Sequence, residues 1–283
     1  MRELETSFST SDGLSLYAQR WLPDGDSPRA QIAVVHGLGE HSGRYADFAA
    51  WFAPHGYVVH AFDHRGHGRS PGQRGHINAW QEFRSDLQAF LQEVRVAYSQ
   101  LPLFLVGHSM GGLIVLDYTL HRGGEMDLEG VVSSGPPLAW SESLSPLLIF
   151  AGNLLSPLLP GMKMKSGLDP QGLSTDEEVV RAYCADPLVH DATTPRFGSE
   201  LDRTMKRTME AAGRWPEDLP LLIVHGGDDP ICPPEASARF FERVSGRFKT
   251  RLEYPGLKHE VFNETGREQV LADVHTWFER HNP

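Results

Sequence analysis

The stretch Leu103 to Leu120, LFLVGHSMGGLIVLDYTL, constrains this chain more than any other. It opens with Leu103 to Val106, a short continuous apolar run of the kind a buried parallel strand shows. It turns through Gly107-His108-Ser109-Met110-Gly111 and resumes as a helical apolar pattern from Leu113 to Leu120. Strand, G-x-S-x-G and helix, in that order, predict a sharp turn that lifts a serine above the end of a sheet. Gly107 and Gly111 suit such a turn because they bring no Cβ where backbones crowd together. A hydroxyl is a weak nucleophile at neutral pH. Ser109 therefore needs a general base, an orienting carboxylate and an oxyanion hole from elsewhere in the chain.

Strand and helix patterns alternate through most of the sequence. Residues 4–10 and 14–21 alternate polar and apolar around the turn signal Ser11-Asp12-Gly13, which predicts an antiparallel hairpin at a sheet edge. Ile32–Val35 is a buried strand, Arg44–Ala53 a helix with Gly56 at its end, and Tyr57–Phe62 the next strand. Trp80–Tyr98 is an amphipathic helix, and Leu128–Val132 is a strand beyond the serine turn. Alternation resumes with helices over Ser199–Ala212, Pro234–Val244 and Arg267–Arg280, and strands over Leu221–His225 and Arg251–Tyr254. This order predicts an α/β fold, a mostly parallel sheet covered by helices on both faces.

The rhythm breaks between Gly135 and Arg196, a proline-rich segment that holds the apolar stretch Leu144 to Leu159. It is expected to be a mostly helical cap over the strand ends. The domain expectation is a core of 1–134 and 197–283 with a cap, or lid, at 135–196.

Composition narrows the function classes. The chain has 283 residues, enough for one large α/β domain with an insertion. Its formal net charge of -11 argues against nucleic-acid partners. Two cysteines, Cys184 and Cys232, cannot build a disulfide framework and fit a reducing compartment. The first residues lack a basic region followed by an apolar one, so no signal peptide is expected, and no apolar run reaches the length of a membrane span. The expected location is cytoplasmic, with peripheral membrane contact through the cap.

The partners of Ser109 should stand on loops after later strands, because ligands of open α/β sheets bind outside the carboxyl ends of strands. The strand Leu221–His225 ends in Gly226-Gly227-Asp228-Asp229-Pro230, and Arg251–Tyr254 ends in Pro255-Gly256-Leu257-Lys258-His259. These supply an acid and then a base in the chain order expected of such a sheet. Asp228 and Asp229 compete for the acid; Asp229 is preferred. His259 stands out among the 14 histidines by following the last strand. The oxyanion donors are expected to be the N–H groups of Met110 and of Leu38, in the loop His36-Gly37-Leu38-Gly39. His36 and His108 are read as braces without metal-ligand spacing, and Asp63 and Arg65 as braces of an adjacent loop. No metal is expected, and no G-x-G-x-x-G opens the first βα unit to hold a dinucleotide.

These residues are similar to the α/β-hydrolase superfamily, and within it to the monoacylglycerol lipase and lysophospholipase-like branch. The resemblance rests on HGLGEHSGRY (36–45), FDHRGHGRS (62–70), GHSMGG (107–112), DPLV (186–189) and GGDDPIC (226–232). It implies Asp229 rather than Asp228 as the acid, with Ser109 as nucleophile, His259 as base, Leu38 and Met110 at the oxyanion hole, and no cofactor. It also implies that the cap is a mobile, apolar lid that admits an acyl chain and touches membranes transiently. Glu40 and Arg44 match positions that help line the alcohol-binding end in the mammalian branch. Phe262 stands where that branch has a second histidine, and Cys232 matches a cysteine near its triad. The implied activity is serine-dependent hydrolysis of monoacylglycerol-type lipids to fatty acid and glycerol. A short-chain carboxylesterase or lysophospholipase is the alternative, ahead of a proline-type aminopeptidase or a non-catalytic receptor module.

Overall fold

The computed structural model describes residues 1–25, 28–122, 127–141 and 152–282. Strands β1 (Arg2–Ser9) and β2 (Ser15–Leu22) form the expected edge hairpin, with Ser9 opposite Ser15. Gly13 closes its turn at φ +86°, a conformation that costs a glycine little. Then come β3 (Ala30–Val35), α1 (Ala46–Phe52), β4 (Tyr57–Phe62), α2 (Gln81–Ala97), β5 (Leu103–His108), α3 (Met110–Arg122) and β6 (Gly130–Ser134).

The segment beyond Gly135 holds helical residues at 152–155, strand β7 (Met164–Lys165), helix α4 (Glu177–Ala185) and strand β8 (Ala192–Thr193). Residues 144–151 of the apolar stretch Leu144 to Leu159 lie outside the described residues. The short antiparallel ladder of β7 and β8 was not expected; at two residues each, these strands are too short to show a period. The core resumes with α5 (Pro195–Ala211), β9 (Leu221–Gly226), α6 (Pro234–Arg243), β10 (Lys249–Tyr254) and α7 (Arg267–His281). Helix α5 starts four residues before its apolar pattern. The Thr194 hydroxyl accepts the Phe197 N–H at 3.3 Å, and Pro195 fills the first turn, where a missing N–H costs nothing.

The main sheet has eight strands in the order β1-β2-β4-β3-β5-β6-β9-β10, all parallel from β4 to β10. Strands β3, β4, β5, β6 and β9 are buried at every residue, which is why they read as continuous apolar runs. Side chains alternate between two cores. Leu105 joins Phe62, Phe90 and Ile114 on one face; Phe104 joins Phe48, Val132 and Phe278 on the other. From β3 the chain moves to β4 on one side, then crosses to β5 on the other. The loops after β3 and β5 thus leave adjacent strands at a topological switch point, where such sheets bind ligands. Among the described residues no helix is long and apolar enough to cross a membrane.

Candidate active site

Ser109 follows β5 directly and opens α3. Its φ of +53° is the only positive value at a non-glycine among the described residues. Such strain persists where the surroundings over-determine it, commonly at functional sites. The Ser109 N–H donates to the Ser134 carbonyl at 2.8 Å, and its carbonyl accepts the Leu113 N–H at 3.1 Å. The flanking glycines are sterically required: a Cβ on Gly107 would stand 2.3 Å from the Gly111 carbonyl oxygen, and one on Gly111 2.0 Å from that of Val35.

Asp229 and His259 come together from the ends of β9 and β10. The His259 Nδ1 stands 2.7 Å from Asp229 Oδ2, and both side chains are buried. Asp228 is exposed, so geometry separates the two aspartates that sequence position separated weakly. Burial alone would raise the Asp229 carboxyl. The charge of His259, the contacts from His225 and His259, and the Cys232 N–H outweigh it and hold the carboxyl far below its usual range. Burial would also lower His259, but the adjacent Asp229 carboxylate overrides it and raises the imidazole above its ordinary value. With Nδ1–H donated to the carboxylate, Nε2 keeps its lone pair. The His108 ring lies 4.8 Å from that of His259 and is held neutral, lowered to about 4 by burial and then by the charge of His259.

The loop after β3 closes on the serine. A Cβ on Gly37 would lie 3.1 Å from the Ser109 Cβ. Among the described residues neither the Leu38 nor the Met110 N–H has a hydrogen-bond acceptor. His36 fixes the loop as expected of a brace: Nδ1–H donates to the Gly37 carbonyl at 2.8 Å, and Nε2 accepts the His64 N–H at 3.0 Å. Asp63 and Arg65 also brace. Asp63 Oδ1 accepts both the N–H and the hydroxyl of Ser42, and Arg65 forms a two-pronged pair with Asp86.

Ser109 opens into a cavity of about 620 Å³. Its walls include Leu38, Met110, Phe197 and Leu201, with Pro137, Trp140, Met164, Leu168 and Thr193 from residues 135–196. Glu40 and Arg44 are not among the described residues that line it. Both are committed to a buried ion-pair network beside the Gly37–Leu38 loop: Arg44 Nη1 stands 2.8 Å from Glu40 Oε2 and 2.7 Å from Glu260 Oε1. Phe262 is likewise buried, edge-on to Phe48 at 5.3 Å.

Two residues escaped the sequence reading. His225, one residue before the end of β9, puts Nε2 3.1 Å from Asp229 Oδ2 and 2.9 Å from the Cys232 carbonyl, so Nε2 carries the proton. Glu260, next to His259, reaches a partner 216 residues away, a pairing that no local pattern announces. Asp229, Cys232 and His259 place possible metal-ligand atoms within 4.8 Å of one another. These atoms are already committed to other roles. Asp229 Oδ2 is bonded to His259, and burial followed by the Asp229 charge pushes the Cys232 thiol well up, away from the thiolate a metal needs.

Comparison with known proteins agrees with this architecture. A family profile described as "Serine aminopeptidase, S33" matches residues 26–266. A monoacylglycerol lipase of Mycolicibacterium smegmatis is 38% identical over 281 residues, covering 98% of this chain and 97% of the relative. Rat monoglyceride lipase is 32% identical over 274 residues, covering 94% and 88%. The crystal structure of Paleococcus ferrophilus monoacylglycerol lipase superposes with a TM-score of 0.83 at 33% identity, covering all of both chains. The chain belongs to this S33 family of α/β-hydrolases, in its monoacylglycerol lipase-like branch.

Proposed function

We propose that this serine hydrolase cleaves monoacylglycerol-type lipids to fatty acid and glycerol, without a cofactor. The observation that carries the proposal is the buried His259–Asp229 pair together with Ser109, which lines an apolar cavity beside the Leu38 and Met110 N–H groups, both without an acceptor among the described residues. The Ser109 hydroxyl adds to the ester carbonyl as His259 Nε2 takes its proton. The Leu38 and Met110 N–H groups hold the oxyanion. His259 protonates the leaving glycerol oxygen, and an acyl-enzyme remains. His259 then deprotonates water, which attacks the acyl carbonyl and frees the fatty acid and Ser109. Asp229 keeps the imidazole in its Nδ1–H tautomer and stabilises its protonated form.

The apolar walls suit an acyl chain. The charged residues among the described lining are Lys165, Lys258 and Asp169, and Asp169 is exposed with a carboxylate oxygen accepting the Gln171 N–H at 3.0 Å. That set does not favour the ammonium group of a peptide substrate, so an ester is preferred over an aminopeptidase substrate. Residues 135–196 act as a cap in this reading. Leu154, Leu158, Leu159, Met162 and Met164 expose 39–73% of their surface, an apolar patch suited to transient contact with a membrane or micelle. Cys184 and Cys232 are both free thiols, in keeping with a cytoplasmic site of action.

The test compares turnover of a monoacylglycerol, di- and triacylglycerols, p-nitrophenyl esters of rising chain length and an aminoacyl amide. Preference for the monoacylglycerol supports the proposal. Activity confined to the short ester moves the chain to a general esterase, and preference for the amide overturns the lipid reading.

A further inference from the structure

We propose that Glu40, Arg44 and Glu260 form a strut that sets the separation of the oxyanion loop from the loop of the base, with Arg44 as its positioning residue. Glu40 belongs to the loop after β3. Its Oε1 accepts the Gly37 N–H at 2.5 Å and the Tyr45 hydroxyl at 2.9 Å. The Gly37 peptide is thereby pinned one residue before Leu38, whose N–H is left without an acceptor among the described residues. Arg44 donates to the other Glu40 oxygen at 2.8 Å and makes a two-pronged pair with Glu260, both bonds 2.7 Å. Glu260 follows His259 directly, and its N–H donates to the Leu173 carbonyl at 2.7 Å. One guanidinium thus ties the strand-end loop that carries an oxyanion donor to the one that carries the base.

The strut is rigid for physical reasons. Glu40 and Glu260 are each 3% exposed, and the Tyr183 ring covers the Arg44 guanidinium at 4.8 Å. Burial would raise both carboxyls, but the Arg44 charge outweighs it and holds both below the usual carboxylate range. A planar guanidinium serves both carboxylates at fixed spacing; an ammonium is a point charge that cannot make the two-pronged pair. None of the three residues lines the cavity, so the strut acts on geometry and not by touching the acyl group or the alcohol. Small displacements matter here: a shift of about 1 Å in a catalytic group can cost on the order of a hundredfold in rate.

The proposal rests on the serine-hydrolase mechanism above but not on its substrate. Its test is the rate at which Ser109 reacts with a small dialkyl fluorophosphate. There the Ser109 oxygen bonds to phosphorus, fluoride leaves and His259 takes the proton, so the reaction needs the nucleophile, base and oxyanion hole but not the alcohol site. Arg44→Lys and the near-isosteric Glu260→Gln are compared with wild type, together with kcat and KM on a p-nitrophenyl ester. The strut predicts that Arg44→Lys slows labelling and lowers kcat by at least about tenfold, with KM within about twofold. Glu260→Gln should show the same split with a smaller loss. Labelling at the wild-type rate in both variants overturns the proposal. So does a raised KM with unchanged kcat and labelling, which would return Arg44 to substrate binding. If Arg44→Lys does not fold, Glu260→Gln decides by the same criteria. Wild type that labels but leaves monoacylglycerol intact removes the substrate reading and leaves the strut to be judged on its variants.

Discussion

The rim where β5, β9 and β10 end, and the described residues of 135–196, several of which line the cavity, are built in opposite ways. At the rim, Ser109 is locked by a strained backbone and Asp229 by hydrogen bonds to both oxygens, with β5 and β9 buried at every residue. In the segment the longest described helix has nine residues, the ladder among the described residues pairs two residues per strand, and Leu158 is 73% exposed. The rim carries the proposed chemistry, which tolerates no displacement. In the proposed reading the segment supplies surface for an apolar substrate, which needs area more than precision. Changes at the rim should therefore stop all reactions, and changes in the segment should redistribute activity among substrates.

The largest expected effect is at the rim. Ser109→Ala should lower kcat on every ester by roughly 10⁵–10⁶-fold, measured with a chromogenic short ester and a monoacylglycerol. A loss confined to one substrate would break the division between the two regions. Next comes the acid. Asp229→Asn should cost roughly 10⁴-fold in kcat because the tautomer of His259 is no longer held. Asp228→Asn, at an exposed position, should stay within about twofold. Equal losses would remove Asp229 from its role.

Stability should divide along the same line. Phe104→Ala, in the core between β5 and α7, should destabilise by about 3–5 kcal/mol, whereas Leu158→Ala should stay within about 0.5 kcal/mol. Urea unfolding of the two variants checks this. A large loss at Leu158 would show that the segment packs as tightly as the core.

The pH dependence sharpens the account of the base. His259 must be neutral to accept the Ser109 proton, and its pKa is raised by Asp229. Activity should fall as pH drops through that raised value, so the acid limb of kcat/KM should lie above about 6.5, the ordinary histidine value. In folding, the sign is opposite. The stability that the raised pKa contributes is present below about pH 6.5 and is lost as pH rises through the folded value. An acid limb well below 6.5 would contradict the pairing. The smallest effect concerns the apolar patch. Leu154→Ser with Leu158→Ser should weaken sedimentation with lipid vesicles severalfold and leave the rate on a soluble short ester unchanged.

How much of this could be read beforehand follows the same division. Continuous apolar runs such as Leu103–Val106 identified the strands, because burial on both faces leaves no other pattern for such runs. The order of Ser109, Asp229 and His259 followed from each standing after a strand. Between the two aspartates sequence position gave only a preference, and the burial of Asp229 beside an exposed Asp228 supplies the physical reason. The pairing of Arg44 with Glu260 was not legible, because the partner lies 216 residues away and matched positions around Glu40 and Arg44 carry no trace of it. The β7–β8 ladder stayed hidden for a related reason: two-residue strands are specified by what they pack against, not by their own sequence.

The most direct measurement mixes the enzyme with a monoacylglycerol, quenches in acid during turnover and locates the acyl group by peptide mass spectrometry. An acyl adduct on the peptide bearing Ser109, absent from Ser109→Ala, is the result this account predicts. Steady monoacylglycerol hydrolysis that persists in Ser109→Ala, or an adduct on another residue, would contradict it.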